Sequence, residues 1–363
     1  MGLADTRFSN RRRALAATLA AQRIDAILVT DLTHMRYLTG FSGSNGALLL
    51  RKDLSAVVTT DGRYTTQIAE EVPDIKATIQ RRVGPNLLEG LEGPQRVGFE
   101  AAYVSVEEFK KLEEACPEDI TLVPVSGVIE KQREKKDYYE LQRLEEIALL
   151  ANNALDDLLE AGELAIGRTE RQVAADLEYR MRKAGAERVS FDTIVASGPN
   201  SAKPHHGAED RVIANGDLVT IDFGAHLRGF NSDMTRTFVA GEVTDLAKEI
   251  YDVVLEAQLA GVAAARPGTA LYDVDRACRS IIEDAGFGEY FVHSTGHGIG
   301  LHVHEGPSAA VTGKGYLEEN MTLTIEPGIY VPGKGGVRIE DTLIITSGAP
   351  KIITPMSKEL RII

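Results

Sequence analysis

Cysteine is scarce: Cys116 and Cys278 are the only two in 363 residues. Neither lies in a C-x-x-C spacing. That excludes a disulfide framework and a thiolate metal site, and it points to reduced thiols and a cytoplasmic location. No stretch approaches the ~18 consecutive apolar residues of a membrane helix, so no membrane partner is expected. Positive charge is short as well, with 40 Lys and Arg against 54 Asp and Glu, a net charge of −14. Nucleic-acid binding rests on neutralising phosphates, so no nucleic-acid partner is expected either. Phosphoryl-transfer signatures are missing. Asp222-Phe223-Gly224 spells D-F-G, but no glycine-rich loop, strand lysine or H-R-D accompanies it. Gly333-Lys334-Gly335-Gly336 lacks the P-loop spacing. Gly40 to Ser44 has no strand-turn-helix context for a nucleophile elbow. Arg11-Arg12-Arg13 before an alanine-rich stretch has the charge order of a secretory signal. The stretch is weakly apolar, however, and leads through Gln22-Arg23 into a strand, so it reads as the first helix of a domain.

What is present is 43% hydrophobic and 26% charged residues over a length that suits two domains. Residues 1–128 read as alternating strands and helices, with strands at Ile24–Val29, Ala47–Leu50, Ala56–Thr60 and Arg96–Phe99. A charged helix is expected from about Lys131 to Glu163, with Leu141, Leu144, Ile147, Leu150 and Leu155 on one stripe. Residues 129–363 carry an internal duplication. Gly167, Val173, Met181, Ala184 and Gly185 recur as Gly268, Val274, Ile282, Ala285 and Gly286, at a constant offset of 101. Thr220-Ile221-Asp222-Phe223-Gly224 is echoed by Thr324-Ile325-Glu326-Pro327-Gly328, and Asp233-Met234-Thr235 by Glu340-Asp341-Thr342. The common order of these matches predicts two similar α/β halves, each presenting one acid on a first strand and another on a second.

Between the acidic pairs, His293 to Glu305 holds four of the eight histidines. Imidazole is the commonest metal ligand. Acids placed among strand-forming apolar residues are costly unless paired or coordinated. Asp222, Asp233, Glu326 and Glu340 with one histidine make an oxygen-rich donor set, harder than a structural zinc site. Four negative charges balance two divalent cations. Water held by such a pair is acidified enough to attack at neutral pH. Strand alternation sets Arg338 and Glu340 on one face, and likewise His302 and His304.

These residues resemble a known family. Ile221-Asp222-Phe223-Gly224, Ser232-Asp233-Met234-Thr235-Arg236-Thr237, His293 through Glu305, Ile325-Glu326-Pro327-Gly328-Ile329-Tyr330 and Val337-Arg338-Ile339-Glu340-Asp341 are similar to the pita-bread metallopeptidases of the prolidase and aminopeptidase P branch. Tyr37-Leu38-Thr39-Gly40-Phe41 and Thr60-Asp61-Gly62-Arg63-Tyr64 resemble the creatinase-type N-terminal domain. The resemblance implies an α/β (α+β) chain with a creatinase-like domain at 1–128 and a pseudo-twofold pita-bread catalytic domain at 129–363. It implies a two-metal exopeptidase that hydrolyses the Xaa-Pro bond of dipeptides or short peptides. Its substrates would be small peptides with proline second, its ions Mn(II) with Co(II) or Zn(II) as alternatives, and its assembly a homodimer. By position, Asp222, Asp233, His297, Glu326 and Glu340 would be metal ligands, with Asp233 and Glu340 bridging. Glu326 would also take the proton of the attacking water. His205 would steady the oxyanion, with His206 beside it as an alternative, and His304 would hold the scissile amide. His293, Tyr330 and Arg338 would line the substrate pocket or support it. His302 departs from the acid or amide common among relatives. His34, Arg36 and Tyr37 are candidates for a wall beyond proline. Two other readings of the same fold, a metal-free creatinase-like hydrolase and a non-catalytic peptide-binding module, would be expected to lack the full ligand set.

Overall fold

A computed structural model of the chain describes residues 6–363. It separates into two compact units, Met1–Gln132 and Arg133–Ile363. Among the described residues no helix is long and apolar enough to cross a membrane.

The first unit is built on a six-stranded mixed sheet. Its centre is Ala26–Val29, whose four residues are all buried, as expected of a strand covered on both faces. Gly46–Arg51 pairs with it antiparallel on one side and Gln95–Glu100 parallel on the other. Ala56–Thr60 extends the sheet beyond Gly46–Arg51. Two edge strands, Lys76–Ile79 and Ile120–Val125, were not legible in the sequence. Lys76–Ile79 is mostly exposed and lacks an apolar run, and Ile120–Val125 carries Pro124, which only an edge tolerates. The arginine-rich stretch is helix Arg7–Ala21. Arg11 and Arg12 are buried in it and donate to the backbone carbonyls of Tyr37 and Leu38.

In place of one helix from Lys131 there are two, Val128–Glu134 and Tyr138–Glu160. The break has a local cause. Asp137 caps the second helix by accepting from Glu140 N, and the Glu140 carboxylate accepts from Asp137 N in return, a D-x-x-E capping box.

The second unit repeats one plan. Helices Tyr138–Glu160 and Glu170–Lys183 pack on strands Ile194–Ser197, Leu218–Phe223 and Met234–Val239. Helices Asp245–Ala264 and Leu271–Asp284 pack on strands Gly296–Gly298, Thr322–Ile325 and Asp341–Ile344. Positions matched in the sequence fall in matched places. Val173 and Val274, and Met181 and Ile282, are fully buried in the cores of their halves. Gly185 and Gly286 each follow a helix at positive φ, +114° and +84°, where a side chain would be strained. Each half thus has its own apolar core, and the faces of the strands away from those cores are free for polar side chains.

Candidate metal centre

Strand register determines where the acids go. In Leu218–Phe223, Ile221 and Phe223 are fully buried in the core, so Asp222 points to the other side. Phe223 pairs with Met234, which puts Asp233 at the same end of the hairpin as Asp222. In the second half Ile325 pairs with Asp341, so Glu326 and Glu340 lie just beyond that last pair, at one end of the two strands. His297 is the middle residue of Gly296–Gly298. A Cβ on Gly296 would lie 1.7 Å from the Thr324 carbonyl oxygen, so only glycine lets this strand seat His297 against the acids.

The five side chains line one cavity, and four of them are in direct reach of one another. His297 Nε2 is 3.3 Å from Glu326 Oε1 and 3.6 Å from Asp233 Oδ2. Ligand atoms of Asp233, His297 and Glu340 lie within 4.8 Å of one another. Asp222 Oδ2 accepts from Arg338 at 2.7 Å. Burial, then their carboxylate neighbours, hold Asp233 and Glu340 well above the usual carboxylate range, and burial lifts Glu326 to about 8. Burial lowers His297, which is therefore neutral. Its Nδ1 sits 3.0 Å from the Gly298 carbonyl, so the proton is on Nδ1 and the Nε2 lone pair faces the carboxylates.

Such a cluster is unfavourable on its own and fits cations well. Asp222 Oδ1, Asp233 Oδ1 and Glu340 Oε1 are buried with no hydrogen-bond partner among the described residues. Orphaned buried carboxylate oxygens are rare unless something else occupies them. Hard oxygen donors with one imidazole suit divalent ions that take oxygen and nitrogen ligands.

A second layer holds these donors in place, and sequence reasoning missed its two threonines. Thr235 is fully buried; its Oγ1 accepts from Arg338 Nε at 3.1 Å and donates to Glu340 Oε2 at 2.8 Å. Because arginine can only donate, the hydroxyl proton must go to Glu340. Thr324 Oγ1 donates to Glu326 at 3.2 Å and accepts from His297 N at 3.0 Å. Both were inside the motifs already singled out, and Thr235, two residues after Asp233, shares its face. Arg338 also donates to the Tyr330 hydroxyl at 2.8 Å, which is 2.8 Å from His293 Nε2. His293 Nδ1 lies 2.8 Å from the Ser294 carbonyl, so Nε2 is the acceptor of the Tyr330 proton. Burial pushes His293 down to about 4 and Tyr330 up to about 12, keeping both neutral.

A cavity of about 560 Å³ opens over the acids, lined among others by His205, His293, His297, His304, Arg338, Phe191 and Asp192. Tyr330 is not among its lining residues; it supports His293 and Arg338. His205 is exposed to the cavity, whereas His206 is buried with Nε2 2.8 Å from Glu170. His304 stands edge-on to His297, ring centroids 4.3 Å apart.

Three expectations need correction. Residues 301–304 are irregular, so strand alternation does not govern His302 and His304. The segment is tied instead by Glu305, whose carboxylate is buried against Lys136 Nζ at 2.7 Å and against Arg133, and accepts from His302 N at 3.2 Å. His302 is exposed and outside the cavity lining. The strand drawn through Arg338 and Glu340 is two: Gly335–Arg338 ends, and Asp341–Ile344 pairs elsewhere. The two side chains still meet, through Thr235. Finally, His34 and Tyr37 are buried, His34 on Glu100 and Tyr37 under the Arg11 guanidinium, so neither offers an exposed wall.

Comparison with known proteins gives two family matches: metallopeptidase family M24 over residues 142–347, and the creatinase/prolidase N-terminal domain over residues 11–135. The chain is 40% identical over 340 residues to an Xaa-Pro dipeptidase of Pyrococcus horikoshii, covering 93% of this chain and 94% of that protein. It superposes on the structure of an Xaa-Pro dipeptidase from Bacillus anthracis with a TM-score of 0.93, at 40% identity, over 98% of this chain and 100% of that one. It superposes on an X-Pro aminopeptidase from Thermotoga maritima with a TM-score of 0.86, at 34% identity, over 94% and 98% of the two chains.

Proposed function

The chain belongs to metallopeptidase family M24 and carries a creatinase/prolidase N-terminal domain, and on that premise we propose the residue roles and the reaction that follow. It is a metal-dependent, proline-specific exopeptidase of the pita-bread fold. Asp222, Asp233, His297, Glu326 and Glu340 would hold two divalent ions. When bound, these ions supply Lewis-acid charge and lower the pKa of water. The observation that carries this reading is one cavity lined by four carboxylates and an imidazole from both halves, with three buried carboxylate oxygens left without a partner among the described residues.

The chain's own residues do the rest. Glu326 would be the proton acceptor for the attacking water, a role that needs its carboxylate ionised, as the charge of the bound ions would favour. His205, exposed in the cavity, would donate to the oxyanion. His304 would hold the scissile amide or the departing proline; its pKa is lowered by burial and by His297 and His205. Arg338, His293 and Tyr330 form a rigid hydrogen-bonded wall that fixes Asp222 and shapes the floor. The substrate explains the need for such a pocket. An Xaa-Pro bond is a tertiary amide with no N–H and a fixed ring, so an enzyme cannot grip it as extended backbone.

Manganese is the preferred ion on the hardness of the donors, with Co(II) and Zn(II) as substitutes. A cytoplasmic homodimer is the accompanying expectation; the two free cysteines, Cys116 and Cys278, suit a reducing compartment. Metal analysis of the purified protein, with hydrolysis of an Xaa-Pro dipeptide and of a longer Xaa-Pro peptide, tests the reading. Two equivalents of divalent ion and release of the first residue are expected, and the ratio of the two rates separates dipeptidase from aminopeptidase P activity. A protein that neither binds nor responds to divalent ions would instead be a creatinase-like hydrolase or a peptide-binding module.

A further inference from the structure

His205 sits on a loop with little regular structure of its own. After strand Ile194–Ser197 the chain makes a short 3-10 turn, Gly198–Ala202, and then an irregular path past Glu209. One side chain gathers this path. Glu170, fully buried in the first turn of helix Glu170–Lys183, accepts from Ser197 N at 2.8 Å, Ser197 Oγ at 2.7 Å and Asn200 Nδ2 at 3.1 Å on Oε1. On Oε2 it accepts from His206 Nε2 at 2.8 Å and Glu209 N at 3.2 Å. Five donors, all from residues 197–209, therefore converge on one carboxylate.

A buried charge is an expensive way to anchor a loop unless it is fully hydrogen-bonded and position matters. Burial pushes Glu170 up, yet its donors, Ser197 and His206 foremost, outweigh this and keep it below the ordinary range. From the opposite side Arg338 donates to the Pro204 carbonyl at 3.3 Å. The backbone at His205 is thus held between a carboxylate behind and the wall of the pocket in front. His205 and His206 are adjacent yet do opposite things: one is locked inward, the other faces the cavity with no hydrogen bond to the described residues.

We propose that Glu170 and His206 are positioning residues for the reaction, a buried acid–imidazole pair that sets His205 where the oxyanion develops. The inference rests on the role given to His205 above. It requires that His206 act only through its neighbour, which a double-mutant cycle reads directly. Glu170→Gln removes a charge that five donors share and puts the fold at risk, so His206 carries the test. The manganese-loaded full chain would be assayed on Leu-Pro as wild type, His205→Ala, His206→Ala, His206→Gln and His205→Ala/His206→Ala, with bound metal and melting temperature recorded for each.

His206→Ala is expected to lower kcat about 10- to 100-fold, the effect of misplacing a reacting group by an ångström, with KM within about twofold and bound metal unchanged. His206→Gln, whose amide can donate to Glu170, restores most of kcat. In the His205→Ala background, removing His206 has no further effect. Additive losses would make His206 a general structural residue and overturn the proposal, as would unchanged kcat in His206→Ala. If His205→Ala itself retains full kcat, the role of His205 fails and this inference with it; a damaged His205→Ala beside a silent His206→Ala would sink only the positioning pair.

Discussion

The metal-free protein should gain stability at high pH when Glu326 loses its charge. The folded protein holds the Glu326 proton to about pH 8, against 4.5 for the free group, chiefly through burial. Below pH 4.5 both folded and unfolded forms carry the proton, and this stabilising term is fully present. Between 4.5 and 8 the unfolded chain ionises while the folded one does not, so stability falls by about 1.4 kcal/mol per pH unit. Above 8 the folded site must carry the charge and the loss levels off. The difference from 4.5 to about 8 amounts to about 5 kcal/mol. This is an upper value, because water reaches 16% of the side chain. Glu326→Gln keeps the shape and an oxygen for Thr324 but cannot ionise. For a unit the size of Arg133–Ile363, the gain at pH 9 should raise the melting temperature of the metal-free variant by on the order of 10 °C over metal-free wild type. At pH 4.5 the two should melt together. Bound divalent ions reverse the order, since the wild-type carboxylate then has a counter-charge and the amide does not. Chelator-treated protein melted from pH 4.5 to 9 by circular dichroism reads all of this. Equal melting temperatures at pH 9, or a gain that is the same at every pH, would refute the claim that uncompensated charge is what the empty centre carries.

Other outcomes follow from the same geometry. Asp233→Ala and Glu340→Ala should fold, lose at least one bound metal ion by elemental analysis and show no measurable turnover; full activity in either would contradict the proposed ligand roles. Thr235→Val leaves Arg338 Nε without its partner and frees Glu340 Oε2, so metal affinity measured by competition with a chelator should fall about 10- to 100-fold, while Thr235→Ser stays close to wild type. Gly296→Ala places a methyl group 1.7 Å from the Thr324 carbonyl; it should destabilise the second unit by more than about 3 kcal/mol, and a melting curve like wild type would show that the strand can shift.

Much of this was written in the order of the residues. Matched glycines and apolar positions at a constant offset announced a duplicated scaffold, because a repeated pattern of buried side chains must be packed twice in the same way. The acids at matched places announced a shared centre, because a carboxylate inside an apolar strand has to be compensated. Edge strands were harder to read. Lys76–Ile79 is made of residues that water tolerates, and backbone pairing alone recruits it.

The sequence by itself determined the family, the duplicated scaffold and which side chains are candidates for the chemistry. Tertiary structure alone decided how they are held. Which of two adjacent histidines faces the cavity depends on Glu170, which lies 36 residues from His206. That His304 follows a tied, irregular turn depends on Glu305 reaching Lys136, 169 residues away. That Thr235 links Arg338 to Glu340 depends on a contact spanning 105 residues. The physical reason is common to all three. Strand and helix periods are local and can be read from spacing, whereas a buried polar atom is satisfied by whichever partner the folded chain brings within about 3 Å.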